Sequence, residues 1–114
     1  MKNAIQINSA PEIINVSPLL DRIVDFKTGS LIKTDQIMVK RVILLADQSM
    51  PIHHAPGAAT FFCIEGLIDF TVFGNESENH TFQLKAGDLF MLEAGTDHSL
   101  IAVQSASLLV TTRL

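Results

Sequence analysis

The sequence predicts an all-β fold of the antiparallel sandwich or barrel type, preceded by a short N-terminal extension or helix. Three observations carry this reading. From residue 36 onward, short runs rich in β-branched and aromatic residues recur at regular spacing. Clusters of turn-forming residues separate them, at Glu65-Gly66, Gly74 to Asn79, Lys85 to Asp88 and Glu93 to Asp97. No helix-sized segment interrupts the series.

The elements follow in order. Residues 1–35 are expected to hold an N-terminal arm, a helix and a first strand, and residues 36–114 the barrel. Ser17-Pro18 gives a helix start, a hydroxyl cap followed by proline in the first turn, and the apolar residues up to Phe26 pair at spacings of four. A strand over Arg22 to Phe26 is the competing assignment. The strands expected next are Gln36–Ala46, Ile52–His54, Ala59–Ile64, Ile68–Phe73, His80–Leu84, Asp88–Leu92, His98–Val103 and Ser107–Thr112. Runs such as Val42-Ile43-Leu44-Leu45 and Leu89-Phe90-Met91-Leu92 are apolar on both alternations, as in strands buried on both faces.

Composition narrows the function classes. A chain of 114 residues suits one domain. Eight basic residues are scattered against 12 acidic ones, giving a net charge of −4 and no basic patch, which argues against nucleic acid as partner. The longest unbroken apolar run, Val42 to Ala46, is far short of a membrane span. The N-terminus has no sustained apolar region of the kind a secretory leader carries, so a cytoplasmic location is expected. Only 18% of the residues are charged and 47% are hydrophobic. A surface so short of charge suggests that part of it is covered by a second copy of the chain. The single Cys63, within Phe61-Phe62-Cys63-Ile64, reads as a small buried hydrophobe. There is no nucleophile elbow, no phosphate-cradling glycine loop and no Cys-x-x-Cys.

The stretch from Ile52 to His98 resembles the cupin superfamily of small jelly-roll barrels (double-stranded β-helices), which are recognised by two motifs. Gly87, Gly95 and His98 fit the second motif, with Glu93 where the family usually has proline and Ala102 where it has asparagine. Gly66, closing Phe62-Cys63-Ile64-Glu65-Gly66, anchors the first. Counting back from it places Ala59 at the family's glutamate, His54 at its second histidine, Ile52 at its first and Ala46 at its opening glycine. Twenty residues, Leu67 to Ala86, separate the motifs, as in compact bacterial members.

The resemblance implies one divalent transition metal, Fe, Mn, Ni, Zn or Cu, held in the barrel mouth by three histidines and a glutamate. This chain keeps His54 and His98 of that set. Two imidazoles are fewer than zinc or non-haem iron requires, so either the metal is weak or absent, or a substitute completes the shell. The substitutes are His53 and Glu93. Strand alternation puts His54 inside and His53 outside, unless a bulge near Pro51 or Pro56 breaks the parity. Asp97, next to His98, should point away by the same rule. Gln48 and Gln104 offer amide contacts that no spacing selects. His80, Glu76 and Glu78 read as parts of a solvated loop.

The expected ligand pocket is lined by His54, His98, Phe61, Cys63 and Phe90. The resulting expectation is a small cupin binding a small molecule, or a metal weakly, with no assignable reaction. The alternative is a metal-dependent oxygenase- or isomerase-like enzyme using His54, His98 and a substitute ligand. A homodimer is expected in either case, and residues 1–30 are a candidate exchanged arm.

Overall fold

The computed structural model of the chain describes residues 12–74 and 78–114. Its strands are β1 (Gly29–Lys33), β2 (Ile37–Leu44), β3 (Ser49–His53), β4 (Ala59–Phe73), β5 (Asn79–Lys85), β6 (Leu89–Leu92) and β7 (His98–Arg113). All pairings among them are antiparallel. They run in the order β1-β2-β7-β4-β5, with β3 added beside β7 and β6 beside β4. The expected all-β jelly roll is what forms.

Its frame is the pair of long strands. The N-terminal half of β4 lies against the C-terminal half of β7, and the C-terminal half of β4 against the start of β7. Each strand therefore belongs to both halves of the barrel. The sequence suggested a turn at Glu65-Gly66 and separate strands on either side; the chain instead runs through as one strand with shifted register between Cys63 and Ile68. Gly66 permits this. It stands at φ +89°, and a Cβ there would collide with the carbonyl oxygen of Ser105 and with Ala106. His98–Val103 and Ser107–Thr112 likewise merge into β7.

The core lies between the two halves. Val42, Phe61, Cys63, Ile68, Phe70, Leu84, Leu100, Ala102 and Leu108 are all buried within it. Phe70 is fully enclosed and stacks on Phe82 at 5.5 Å between ring centroids, with Phe61 and Phe90 edge-on to it. Cys63 has no exposed surface, as a small core hydrophobe should, and burial pushes its thiol pKa up.

The helix expected over Ser17 to Phe26 shortens to a 3₁₀ turn at Leu20–Asp25, with Leu19 rather than Ser17 in the cap position. The reason lies across the molecule. The Glu65 carboxylate accepts the backbone N–H groups of Leu19 and Leu20 at 2.9 to 3.0 Å, taking the donors that a side-chain cap would have satisfied. His80, expected to begin a strand and to be solvated at the end of the preceding loop, is an exposed residue within β5. Glu78 is exposed; Glu76 lies outside the described residues. No helix among the described residues is long and apolar enough to cross a membrane.

Candidate functional site

A cavity of about 240 Å³ opens at one end of the barrel. Its wall is mainly apolar: Met38 and Val42 from β2, Met50 from β3, Ala59 and Phe61 from β4, and Leu100, Leu108 and Val110 from β7. Into it come three histidines, His53, His54 and His98. That volume is just under the roughly 300–1,000 Å³ of drug-sized ligand pockets, so it suits a small molecule.

His98 is the first residue of β7 and is 2% exposed. Its ring lies 5.4 Å from Phe61, edge-on, and 5.5 Å from Phe70, stacked. Nδ1 stands 3.0 Å from the carbonyl oxygen of Thr96. A carbonyl can only accept, so Nδ1 carries the hydrogen and Nε2 presents a lone pair. That Nε2 is buried and has no hydrogen-bond partner. Burial holds the His98 pKa below the ordinary histidine value. The hydrogen bond to Thr96 works against this, while the neighbouring His53 and His54 add to it. His98 is therefore a neutral imidazole at pH 7.

The placement of His53 and His54 reverses the expectation from strand parity. His53 is the inward residue, paired with His98 across β3 and β7, with the ring centroids 4.3 Å apart. His54 sits on the rim, its side chain 61% exposed and its Nδ1 3.1 Å from Oδ1 of Asp97. The cause is a bulge. Met50 pairs with Leu100 and His53 with His98, so Pro51 and Ile52 together oppose the single residue Ser99. The extra residue resets the alternation: Met50 and His53 line the cavity, while Ile52 is turned out and 59% exposed. His53 fixes its own tautomer as His98 does, donating from Nδ1 to the Pro51 carbonyl at 2.9 Å.

The other expected residues are not brought into the site. Glu93 is exposed in the β6–β7 turn, where its carbonyl accepts the Thr96 hydroxyl at 2.9 Å, and it does not line the cavity. Cys63 and Phe90 also lie outside the wall. Cys63 is sealed in the core with its Sγ 3.4 Å from the Glu65 carbonyl, and Phe90 packs against Phe70 and Phe82. Phe61 is in the wall, as expected. Gln48 caps a turn through Leu45 N–H at 2.9 Å, and Gln104 is exposed.

One residue the sequence reading passed over is Lys40. It shares the inward alternation of β2 with Met38 and Val42, and it lines the cavity. The signal was present in Met38-Val39-Lys40-Arg41-Val42, a cation on the parity of two core residues.

The metal that the fold implies can be tested on these donors. Two imidazole nitrogens with free lone pairs, each ring oriented by a carbonyl on its other nitrogen, are what metal-binding histidines present. Yet among the described residues no three His, Cys, Asp or Glu side chains come together in a way that would hold an ion. The residues present do not make up the three-ligand minimum of zinc or non-haem iron sites.

Comparison with known proteins agrees with the fold. A cupin superfamily protein from Desulfitobacterium hafniense superposes with a TM-score of 0.69 at 15% identity, over 76% of this chain and 75% of that one. A conserved protein of unknown function from Streptococcus pyogenes gives 0.70 at 21%, over 93% and 96%. Oxalate decarboxylase from Bacillus subtilis, a protein with Mn(II) centres, gives 0.70 at 17%, over 75% of this chain but only 24% of its own. Among curated proteins, none matches the sequence. The family model for the cupin domain matches residues 40–112, most of the barrel, and the chain therefore belongs to the cupin family.

Proposed function

We propose that this cupin barrel binds a small, largely apolar molecule through an O–H or N–H group that donates to Nε2 of His98. The observation that carries the reading is the buried Nε2 without a partner, on a histidine that lines a mainly apolar cavity. An unsatisfied buried acceptor costs about 1–3 kcal/mol, and a ligand donor relieves that cost on entering. Phe61 and Phe70 hold the ring in place, and Thr96 holds its tautomer. The acceptor is thus preorganised before the ligand arrives, which lowers the entropy cost of binding.

Matched probes test this. Hexan-1-ol and methyl pentyl ether have the same size, but the ether has no donor. The alcohol should bind the protein more tightly, by about fivefold or more, and His98→Phe should remove the difference. Equal binding of both probes to the parent protein contradicts the reading.

The metal-dependent alternative, oxygenase- or isomerase-like, draws support from the paired lone pairs of His53 and His98. In its expected form it used His54, whose side chain lies on the rim with Asp97. It also needs a third donor, and metal analysis separates it from the first reading.

A further inference from the structure

We infer that the ligand of this cavity is an anion, a small carboxylate whose charge is met by Lys40 while its donor group meets His98. The inference rests on the pocket reading above and adds the ligand's class.

Lys40 is the one permanently charged side chain in the cavity wall among the described residues, and no Asp or Glu side chain stands in that wall. It is flanked on the inward face of β2 by Met38 and Val42, and its neighbour across β7 is Val110. Among the described residues it makes no ion pair. Two other cations among the described residues are committed to partners. Arg41, the next residue, is spent on Glu65, Ser107 and the Ser17 carbonyl, and Lys85 pairs with Asp88. Lys40 is thus a cavity-lining cation with no fixed counter-charge among the described residues.

The register sets the distance to the imidazoles. Lys40 pairs with Val110, and Val110 with Phe61, so the backbones of Lys40 and Phe61 are two strand spacings apart, about 10 Å. Phe61 in turn touches the His98 ring. A flexible lysine on one side and two acceptor nitrogens on the other therefore bracket a space a few atoms long. The complementary molecule is a short apolar chain or ring with a carboxylate at one end and a hydroxyl or amine donor at the other. His98 does not supply the counter-charge, because burial holds its pKa below the ordinary histidine value.

The test uses ω-hydroxyhexanoate and its neutral isostere ω-hydroxyhexanamide, titrated by calorimetry into the full-length protein and into Lys40→Met. The parent should prefer the carboxylate by about tenfold or more, as for a charge-assisted hydrogen bond. Lys40→Met should abolish that preference while still binding the amide. A lysine that merely lies along the wall for packing would leave the discrimination unchanged. Equal affinity of both probes for the parent, or a preference that survives in Lys40→Met, overturns the anion inference and leaves the pocket reading standing. Binding of neither probe overturns both.

Discussion

His53 and His98 face each other across β3 and β7, with ring centroids 4.3 Å apart and each Nδ1 committed to a carbonyl, of Pro51 and of Thr96. The His98 ring is thereby left with its buried Nε2 free of any hydrogen bond, while His54, one residue along, belongs to the surface.

This division predicts unequal mutational effects. His54→Ala should change stability by less than about 0.5 kcal/mol, since an exposed His–Asp pair contributes little. His53→Ala should cost about 1 kcal/mol or more through the lost ring contact with His98. Urea unfolding of the two variants measures both. A larger cost for His54→Ala would restore the inward placement that simple strand alternation gives.

Metal content follows from the donor set. Protein purified without chelator should carry well under one equivalent of any transition metal by mass spectrometry, because two imidazoles are one donor short of an ordinary site. Stoichiometric metal that is lost in both His53→Ala and His98→Ala would establish the enzyme-like alternative instead.

Acid stability should show two separate contributions. Burial alone would raise the Glu65 pKa, but the Ser107 hydroxyl, the Leu19 and Leu20 N–H groups and the Arg41 charge outweigh it and hold the carboxyl below its usual value. A depressed carboxylate stabilises the fold above its unfolded pKa, near 4.3, and that stability is lost as pH falls through the folded value. His98 is also depressed, so the unfolded state binds its proton first and stability begins to fall below about pH 6.5. Glu65→Gln should cost about 3 kcal/mol at neutral pH, by leaving Arg41 without its partner, and should flatten the lower limb. His98→Phe should flatten the upper limb. Unfolding at a series of pH values reads both, and unchanged limbs would contradict the assignments.

Self-association is proposed from the surface. Leu89 and Met91 of β6 are 68% and 56% exposed, and Phe62, paired with Leu89, is partly exposed beside them. A second copy would cover this strip. Sedimentation at micromolar concentration should give a dimer that Leu89→Glu disperses, and a monomeric parent protein is the contrary result.

Much of the fold was legible because a barrel strand buried on both faces leaves an unbroken apolar run, as in Val42 to Leu45; the similar run Leu89 to Leu92, expected to be buried on both faces, is buried on one only, with Leu89 and Met91 turned out. The site was legible in kind but not in orientation. His53 and His54 are adjacent, so one bulge at Pro51–Ile52 exchanges their roles, and a bulge depends on pairing with β7 that local sequence does not encode. The Glu65 latch on Leu19 and Leu20 was hidden for a similar reason, because its partners are backbone N–H groups 45 and 46 residues away that have no side-chain signature. Lys40 was visible in the alternation of β2 and needed only the question of which face it shared.

The most direct measurement is the ring nitrogen spectrum of His98, by long-range proton–nitrogen NMR at pH 7, with and without hexan-1-ol. The account predicts a neutral Nδ1–H tautomer with a bare Nε2, and a shift of the Nε2 resonance toward that of a hydrogen-bonded nitrogen as the alcohol binds. A proton on Nε2 in the free protein, or an Nε2 resonance indifferent to the alcohol, would contradict it.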